Sequence, residues 1–430
     1  MFKFLHAADL HLDSPLRGLE RYEGAPAAEI RSATRRALEN LVTLACDEAV
    51  AFVLLAGDQY DGERDDYQTV LFFSRQMVRL KEAGIPVFAI TGNHDAASKM
   101  TKSLRLPENV RFLSHKRPET VDRPELGVAI HGRGFARQAE TANLVVEYPP
   151  ALPDRFNIGL LHTALNGAEG YASYAPCTLG DLRAKQYDYW ALGHVHERTI
   201  VAEDPWIVYP GNVQGRSIRE LGARGCMLVT VHDNPMGGKR EVAKRVEVEF
   251  RSLDVFRWAL CDVPLQESTD ADTLIDLAVE SLESLLATAD GRPLAVRMRL
   301  QGLSSGHAPW LTQRDRWAAE LRAAAQRVAA EGLWIEKVQF ETRPAPPVID
   351  GADTGPWAEI QEYLADLRGK PGEQALLAEE FAELQKRIPA EVVSLGEGYL
   401  LSPSPAALDS MLNEVELLLR ARLQGTEGPG

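Results

Sequence analysis

The sequence has no long apolar run, few cysteines and a deficit of basic residues. No segment approaches the roughly twenty consecutive apolar residues that a helix needs to cross a bilayer, so no membrane association is expected. With 47 basic and 62 acidic residues the formal net charge is −15, which argues against a protein that binds nucleic acid by bulk electrostatics alone. A thiolate zinc site is not expected either, because the sequence has no CxxC pair and only four scattered cysteines: Cys46, Cys177, Cys226 and Cys261.

The remaining composition is that of an ordinary globular protein. Hydrophobic residues make up 45% of the chain and charged residues 25%. A length of 430 residues exceeds what one core usually organises, so two or three domains are expected. The first residues, MFKFLHAADLHLD, lead directly into acidic positions, unlike a signal peptide, and we predict a cytoplasmic protein.

Short apolar strands alternate with amphipathic helices over the first 250 residues or so. This alternation predicts an α/β fold with a largely parallel start, and later strands with fewer helices favour two stacked sheets with helices outside both. The first predicted strands are Phe2–His6, Phe52–Ala56, Pro86–Ile90 and Asn157–His162, with helices near 27–50 and 67–83.

The pattern changes near residue 250 and predicts further domains. We assign 1–250 to the first domain and 251–343 to a small α/β domain of two helix–strand units. The Pro-, Gly- and Asp-rich segment 344–356 is predicted to be a linker, 357–424 a helical region and 425–430 a disordered tail. The apolar stripes of the helical region have two interpretations, packing against the rest of the chain or docking a partner helix.

Five short segments with metal-ligand residue types follow apolar strands. Residues two apart on an extended segment project to the same side and can address one ion. Because parallel strands bring their carboxyl ends to a common edge, we expect all five to gather along a single sheet rim. The segments are Asp9-Leu10-His11, Gly57-Asp58, Gly92-Asn93-His94-Asp95, His162 and Gly193-His194-Val195-His196.

This order of segments resembles the calcineurin-like metallophosphoesterases over residues 1 to about 235. The resemblance implies a four-layer αββα sandwich of two mixed sheets flanked by helices. It also implies two divalent metal ions bridged by Asp58, with manganese expected and iron or zinc as alternatives. The first ion would have Asp9, His11 and His196 as ligands, and the second Asn93, His162 and His194.

The resemblance also implies a mechanism and one further catalytic residue. A hydroxide bridging the two metals would attack phosphorus and hydrolyse the ester. His94, which is not a ligand in the family, would stabilise the transition state and protonate the leaving group. Asp95 is expected to orient His94 or to cap its loop.

Within the superfamily the sequence is most similar to SbcD-type DNA repair exonucleases, especially the YhaO-like branch. The segments ADLHLDSPLRG and Tyr209-Pro210-Gly211-Asn212 carry this similarity. It implies a metal-dependent exonuclease or endonuclease in DNA repair, in which the small α/β domain caps the site and the C-terminal helices bind an SMC-like, SbcC-type ATPase. A homodimer is left open.

The direction of cleavage and the substrate are both left open. Asp61 takes the place where some relatives have a histidine that has been tied to exonuclease action. One alternative is a phosphodiesterase or phosphatase acting on a small nucleotide or a phosphoprotein, and another is a non-catalytic scaffold. Arg133, Arg216 and Arg219 are candidate substrate-binding residues because they lie close to the five segments in sequence.

Overall fold

The computed structural model describes most of the chain, in stretches separated by gaps. These are residues 1–14, 27–61, 67–97, 106–167, 172–232, 245–329, 332–344, 356–370, 372–377, 379–380, 411–412, 415–416 and 419. Among them, no helix has both the length and the apolar character needed to cross a membrane.

Strands dominate the first part of the chain, and the longer helices flank or follow them. The strands are β1 (Phe2–Ala7), β2 (Phe52–Leu55), β3 (Val87–Ala89), β4 (Val110–Phe112), β5 (Glu119–Arg123), β6 (Val128–Gly132), β7 (Phe156–His162), β8 (Tyr189–Gly193), β9 (Thr199–Glu203), β10 (Trp206–Tyr209), β11 (Gly225–His232), β12 (Arg245–Ser252), β13 (Arg257–Leu265), β14 (Leu294–Ser304) and β15 (Leu333–Pro344). The helices are α1 (Ala27–Asp47), α2 (Tyr67–Glu82), α3 (Asn93–Ala97), α4 (Leu179–Ala184), α5 (Ala271–Ala287), α6 (His307–Thr312), α7 (Arg314–Val328) and α8 (Pro356–Gly369).

Two six-stranded mixed sheets form the body of the fold. The first has the order β12-β11-β1-β2-β3-β4, with β1 to β4 parallel and β11 antiparallel to both β1 and β12. The second has the order β5-β6-β7-β8-β10-β9, with β6, β7, β8 and β10 parallel and the outer strands β5 and β9 antiparallel.

Alternating apolar residues explain why the sheets are covered on both faces. In β1, Phe4 contributes to the core between the sheets, whereas Leu5 packs on the opposite face against α1 and α2. The outer face of the second sheet is covered by α4 and a 3-10 turn at Leu144–Glu147. The expected four-layer αββα arrangement is therefore confirmed, although the outer layer on the second sheet contains only short helices.

Four strands were missed by the sequence pattern. Three of them, β4, β5 and β9, are edge strands in the two large sheets, and their residues are largely half-buried or exposed. An edge strand needs little apolar character, so its sequence carries a weak period-two signal. The fourth, β13, contains Pro264, a residue that argues against a strand except at an edge.

The small sheet has the order β13-β14-β15, and the predicted helix–strand units reappear as α5 with β14 and α7 with β15. Leu274, Ala278 and Leu282 form the buried stripe of α5. By its internal packing the chain divides into two compact units, one of residues 1–260, 285–297 and 329–336 and the other of residues 261–284, 298–328 and 337–430. The domain boundaries drawn from the sequence stay a prediction.

The C-terminal region is described only in part. In α8, Leu364 and Leu367 pack in one cluster with Leu412. Most of the predicted linker and most of the predicted C-terminal apolar stripes lie outside the described residues. The predicted tail also lies outside them.

A buried histidine connects the two large sheets. His6 of β1 lies 3.0 Å from the Tyr189 hydroxyl through Nδ1 and 3.1 Å from the Leu192 carbonyl oxygen through Nε2. Both partners belong to β8 of the other sheet. Burial lowers the pKa of His6 to about 3, so the ring is neutral in the folded protein at neutral pH.

Replacing His6 by phenylalanine should destabilise the protein at pH 7 by about 1–3 kcal/mol, because buried polar partners lose their hydrogen bonds. Unfolded histidine takes up a proton below a pH of about 6.5, whereas folded His6 does so only near pH 3, so wild-type stability falls as the pH drops through this window. The difference between His6→Phe and wild type should therefore shrink by about 2 kcal/mol at about pH 5. Urea unfolding at both pH values measures this, with the exposed His115→Ala as the control. A difference in unfolding free energy between His6→Phe and wild type that is the same at both pH values would contradict this prediction.

Candidate metal centre

The five segments converge, but from two sheets and not from a single rim. Asp9, Asp58 and Asn93 follow β1, β2 and β3 of the first sheet, whereas His162 ends β7 and His194 follows β8 of the second. The expectation of one sheet edge is wrong, because the chain crosses to the second sheet after β4. The parallel strands of both sheets end, at their carboxyl ends, beside the same group of candidate ligands.

Two glycines allow these chain ends to approach each other. A Cβ at Gly92 would be 2.3 Å from Asp58 Oδ1, and a Cβ at Gly193 would be 2.0 Å from the carbonyl oxygen of Ala56. Both distances are well inside van der Waals contact, so any side chain there would push the segments apart. The glycines in the motifs are needed for this close approach.

Four candidate ligands have positive φ angles, which residues other than glycine seldom adopt. The values are 53° at Asp9, 41° at His11, 54° at Asp58 and 98° at His194. Such conformations cost of order 1–3 kcal/mol each and are concentrated at functional sites. The surrounding hydrogen bonds maintain them, as in the bond from His194 N to Asp9 Oδ2 at 3.0 Å.

The first group of candidate ligands comprises Asp9, His11 and His196. One ligand atom from each lies within 4.8 Å of the others. The Nε2 atoms of His11 and His196 are 3.2 Å apart, and His196 Nδ1 lies 2.8 Å from Glu220 Oε1. With its proton on Nδ1, His196 directs an Nε2 lone pair at His11. Among the described residues, buried His11 Nδ1 has no hydrogen-bond partner.

The second group comprises Asn93, His162 and His194. His162 Nδ1 donates to the Ala56 carbonyl oxygen at 2.9 Å, and its Nε2 lies 3.0 Å from Asn93 Oδ1. His194 Nε2 donates to the Ala172 carbonyl oxygen at 2.9 Å, so its Nδ1 carries the ring lone pair.

Asp58 lies between the two groups. Its Oδ2 is 3.9 Å from His11 Nε2 and 3.5 Å from His162 Nε2, and its Oδ1 accepts from His94 N at 2.9 Å. Burial by itself would raise the pKa of Asp58, but the neighbouring His162 outweighs burial and lowers this pKa to about 2. The same pairing raises the pKa of His162 to about 9 against the effect of burial. Carboxylate, amide and imidazole groups that converge in this way are of the types that bind divalent cations.

His94 borders these groups without the burial of the ligands. Its side chain is 35% exposed, and its ring centroid is 4.8 Å from that of His11. Its Nδ1 lies 2.9 Å from Asp61 Oδ1, which leaves Nε2 available. Burial opposes protonation, but the hydrogen bond and charge of Asp61 raise the pKa of His94 above its usual value.

Asp95 has a different position from Asp61. Its carboxylate accepts hydrogen bonds from Gly92 N at 3.0 Å and Tyr60 N at 3.1 Å, joining the second and third segments. Burial, reinforced by the charge of Asp58, raises the pKa of Asp95 to about 7. The residue bonded to His94 Nδ1 is therefore Asp61, which the sequence had marked only as a departure from relatives.

The candidate substrate-binding arginines have varied surroundings. Arg133 pairs with Glu147 at 2.7 Å, and Arg219 N donates to Ser217 Oγ at 3.3 Å. Arg216 lies at the site beside Glu220, at 3.1 Å. Glu220, the partner of His196, was not identified from the sequence, because no spacing relates a carboxylate to a histidine 24 residues before it. A role for the arginines in substrate binding stays a prediction.

Comparison with known proteins identifies the family. A family model described as calcineurin-like phosphoesterase matches residues 2–198, and one for the middle domain of metallophosphoesterase YhaO matches residues 258–343. The metallophosphoesterase YhaO of Bacillus subtilis (strain 168) is 33% identical over 347 residues, which cover 79% of this chain and 81% of that protein. The chain belongs to the calcineurin-like phosphoesterases.

More distant relatives include two proteins named for DNA repair or nuclease action. The DNA double-strand break repair protein Mre11 of Sulfurisphaera tokodaii is 28% identical over 209 residues, covering 47% of this chain and 51% of that protein. A component of nuclease SbcCD from Staphylococcus epidermidis is 24% identical over 261 residues, covering 54% of this chain and 67% of that protein. The match therefore spans about half the length of the Mre11 relative.

Family membership makes the chain a hydrolase of phosphoester bonds. Calcineurin-like phosphoesterases bind divalent metals, and the Asp and His groups of this site could hold them. The convergence of carboxylate, amide and imidazole groups described above agrees with that chemistry.

Binding of Mn²⁺ should raise the unfolding temperature of the wild type, because the candidate ligands converge only in the folded protein and the ion therefore binds the folded state. At 100 times Kd the stabilisation should be about 2.7 kcal/mol. Asp58→Asn should lose most of this shift, since it removes the charge shared by both ligand groups, whereas exposed His115→Ala should keep it. Thermal unfolding with Mn²⁺ and with a chelator tests this. Equal shifts in Asp58→Asn and wild type would refute the role of Asp58.

Proposed function

We propose that this phosphoesterase is a metal-dependent DNA nuclease, acting as an exonuclease or endonuclease on phosphodiester bonds. The observation that carries the proposal is the position of Asp58, whose Oδ2 faces His11 and His162 at 3.9 and 3.5 Å. One carboxylate shared by two ligand groups suits a pair of ions. The names of the Mre11 and SbcCD relatives support DNA as the substrate.

The proposal assigns the metal ligands in two sets joined by Asp58. When bound, the ions would supply positive charge to the phosphoryl oxygens and acidify water. Manganese is the proposed metal, and iron or zinc also suits imidazole and carboxylate ligands. The first set is Asp9, His11 and His196, and the second is Asn93, His162 and His194.

His94 is the proposed general acid. The bond to Asp61 fixes the ring orientation and leaves Nε2 to carry a proton to the departing oxygen. The partial exposure of His94 allows a substrate to reach it, whereas Asp9, His11, Asp58 and His162 are almost fully buried.

The biological setting is also a proposal. By analogy with the SbcCD relative, we propose a cytoplasmic role in DNA repair with an SMC-like ATPase partner. The small α/β domain is proposed to cap the site and position DNA, and the C-terminal helices to bind the partner.

His94→Ala should lower kcat on DNA by about 10²–10⁴-fold, because the ring that protonates the leaving oxygen is lost. Affinity for Mn²⁺ should stay nearly unchanged, because alanine keeps the backbone N–H that binds Asp58 Oδ1. End-labelled DNA incubated with Mn²⁺ measures cleavage, and calorimetry measures metal binding.

The same assay separates the competing functions. A wild type that leaves DNA intact but cleaves a cyclic nucleotide would be a small-substrate phosphodiesterase. A wild type that binds Mn²⁺ and cleaves no ester would be a scaffold. Unchanged kcat in His94→Ala would remove the assignment of the general acid.

A further inference from the structure

The loop Gly211–Glu220 lies against both the first and the last of the five segments. Asn212 forms a parallel bridge with Ala8, the residue before Asp9, and its N–H donates to the His196 carbonyl oxygen at 3.3 Å. The loop is anchored from behind, because Gln214 Nε2 donates to the Phe256 carbonyl oxygen at 3.0 Å and Trp258 Nε1 to that of Gly215 at 3.2 Å.

Glu220 uses both carboxylate oxygens within this loop. Oε1 accepts from His196 Nδ1 at 2.8 Å and from the Arg216 guanidinium at 3.1 Å. Oε2 accepts from Arg216 N at 2.7 Å and from Asn212 Nδ2 at 2.9 Å. Four donors hold the buried carboxylate in one orientation. The carboxylate in turn orients the ring of His196, a candidate metal ligand.

Arg216 extends this network to His94. Its NH1 lies 3.8 Å from Asp61 Oδ2 and 3.5 Å from Ser14 Oγ, and the Ser14 hydroxyl donates to Asp61 Oδ2 at 2.6 Å. Asp61 Oδ1 in turn contacts His94 Nδ1 at 2.9 Å. One guanidinium therefore stands between the carboxylate that orients His196 and the carboxylate that orients His94.

We propose that Arg216 is a positioning residue that couples the placement of the metal ligand His196 to that of His94. This inference rests on the proposed function. Arg216 acts through Glu220 and Asp61 and through its own contact with His196, whose Nδ1 lies 3.2 Å from NH2, and it does not bind the phosphate of the substrate. Its planar fork can address two carboxylates at once, which a lysine ammonium, as a single point charge, does less well.

The surroundings of Arg216 favour positioning over phosphate binding. Its side chain is only 18% exposed, and its charge faces two carboxylates that are 11% and 12% exposed. Turning the guanidinium away from these carboxylates to reach a phosphate would be costly, because a buried carboxylate would lose its partner.

The test compares Arg216→Lys, Glu220→Gln and Asp61→Asn with wild type and with the exposed control Arg117→Ala. Calorimetry with Mn²⁺ alone gives metal affinity, and bis-p-nitrophenyl phosphate gives kcat and KM. Glu220→Gln should weaken Mn²⁺ binding about 10-fold or more, and Asp61→Asn should lower kcat without changing that affinity. Arg216→Lys should show both losses with KM nearly unchanged, as expected for an interaction that does not bind the substrate.

A double-mutant cycle tests the coupling directly. In wild type, at a Mn²⁺ concentration below Kd so that both changes affect the rate, Glu220→Gln and Asp61→Asn should reduce the turnover rate together by less than the product of their separate effects. In the Arg216→Lys background the two effects should multiply. Multiplicative effects in both backgrounds would overturn the coupling.

Other outcomes also decide the question. If Arg216→Lys raises KM alone and leaves Mn²⁺ affinity and kcat intact, Arg216 is a phosphate contact and the positioning role is wrong. If Arg216→Lys matches wild type throughout, the network has no function. A wild type that binds no Mn²⁺ and cleaves no ester would instead refute the proposed function itself, since the variants play no part in that result.

Discussion

The close approach of two sheets at their carboxyl ends is the constraint on which the site depends. The candidate ligands are divided between the sheets, so no ion could be shared unless β2 and β8 end almost in contact. Gly193 against the Ala56 carbonyl oxygen and Gly92 against Asp58 permit this approach. Aromatic side chains pack between the sheets, where the rings of Phe4 in β1 and Tyr189 in β8 meet edge to face with their centroids 5.3 Å apart.

The ligand rings are oriented from their far sides. His162 donates to the Ala56 carbonyl oxygen, His194 to that of Ala172 and His196 to Glu220. In His194 and His196 the second nitrogen is left with a lone pair, whereas His162, whose pKa is raised to about 9 beside Asp58, would lose its Nε2 proton when an ion binds. The positive φ angles at Asp9, His11, Asp58 and His194 belong to the same arrangement, since strained turns aim these side chains inward.

Charge explains how an acidic chain can act on an acidic substrate. The net charge of −15 would repel phosphate, and three of the aspartates that contribute to it, Asp9, Asp58 and Asp61, lie at the site. The family binds divalent cations, and such ions can reverse the sign of the local field. Arg216 is already engaged with carboxylates, so the attraction for a phosphate ester is expected to come mainly from bound cations and from His94.

The local pattern of apolar and polar residues in the sequence determined much of the fold and of the candidate site. Apolar strands that end in ligand-type residues predicted the α/β class, the four layers and the family. These features depend on residues that are close together in the sequence. Edge strands such as β4 and β9 were not predicted, because their exposed residues do not show the alternation of apolar and polar residues that marks a strand. Only the tertiary structure decided that two sheets supply the candidate ligands, that Asp61 contacts His94, and that Glu220 and Arg216 contact His196. Those partners are 20 to 33 residues apart along the chain, and their pairing depends on how the loops cross in space.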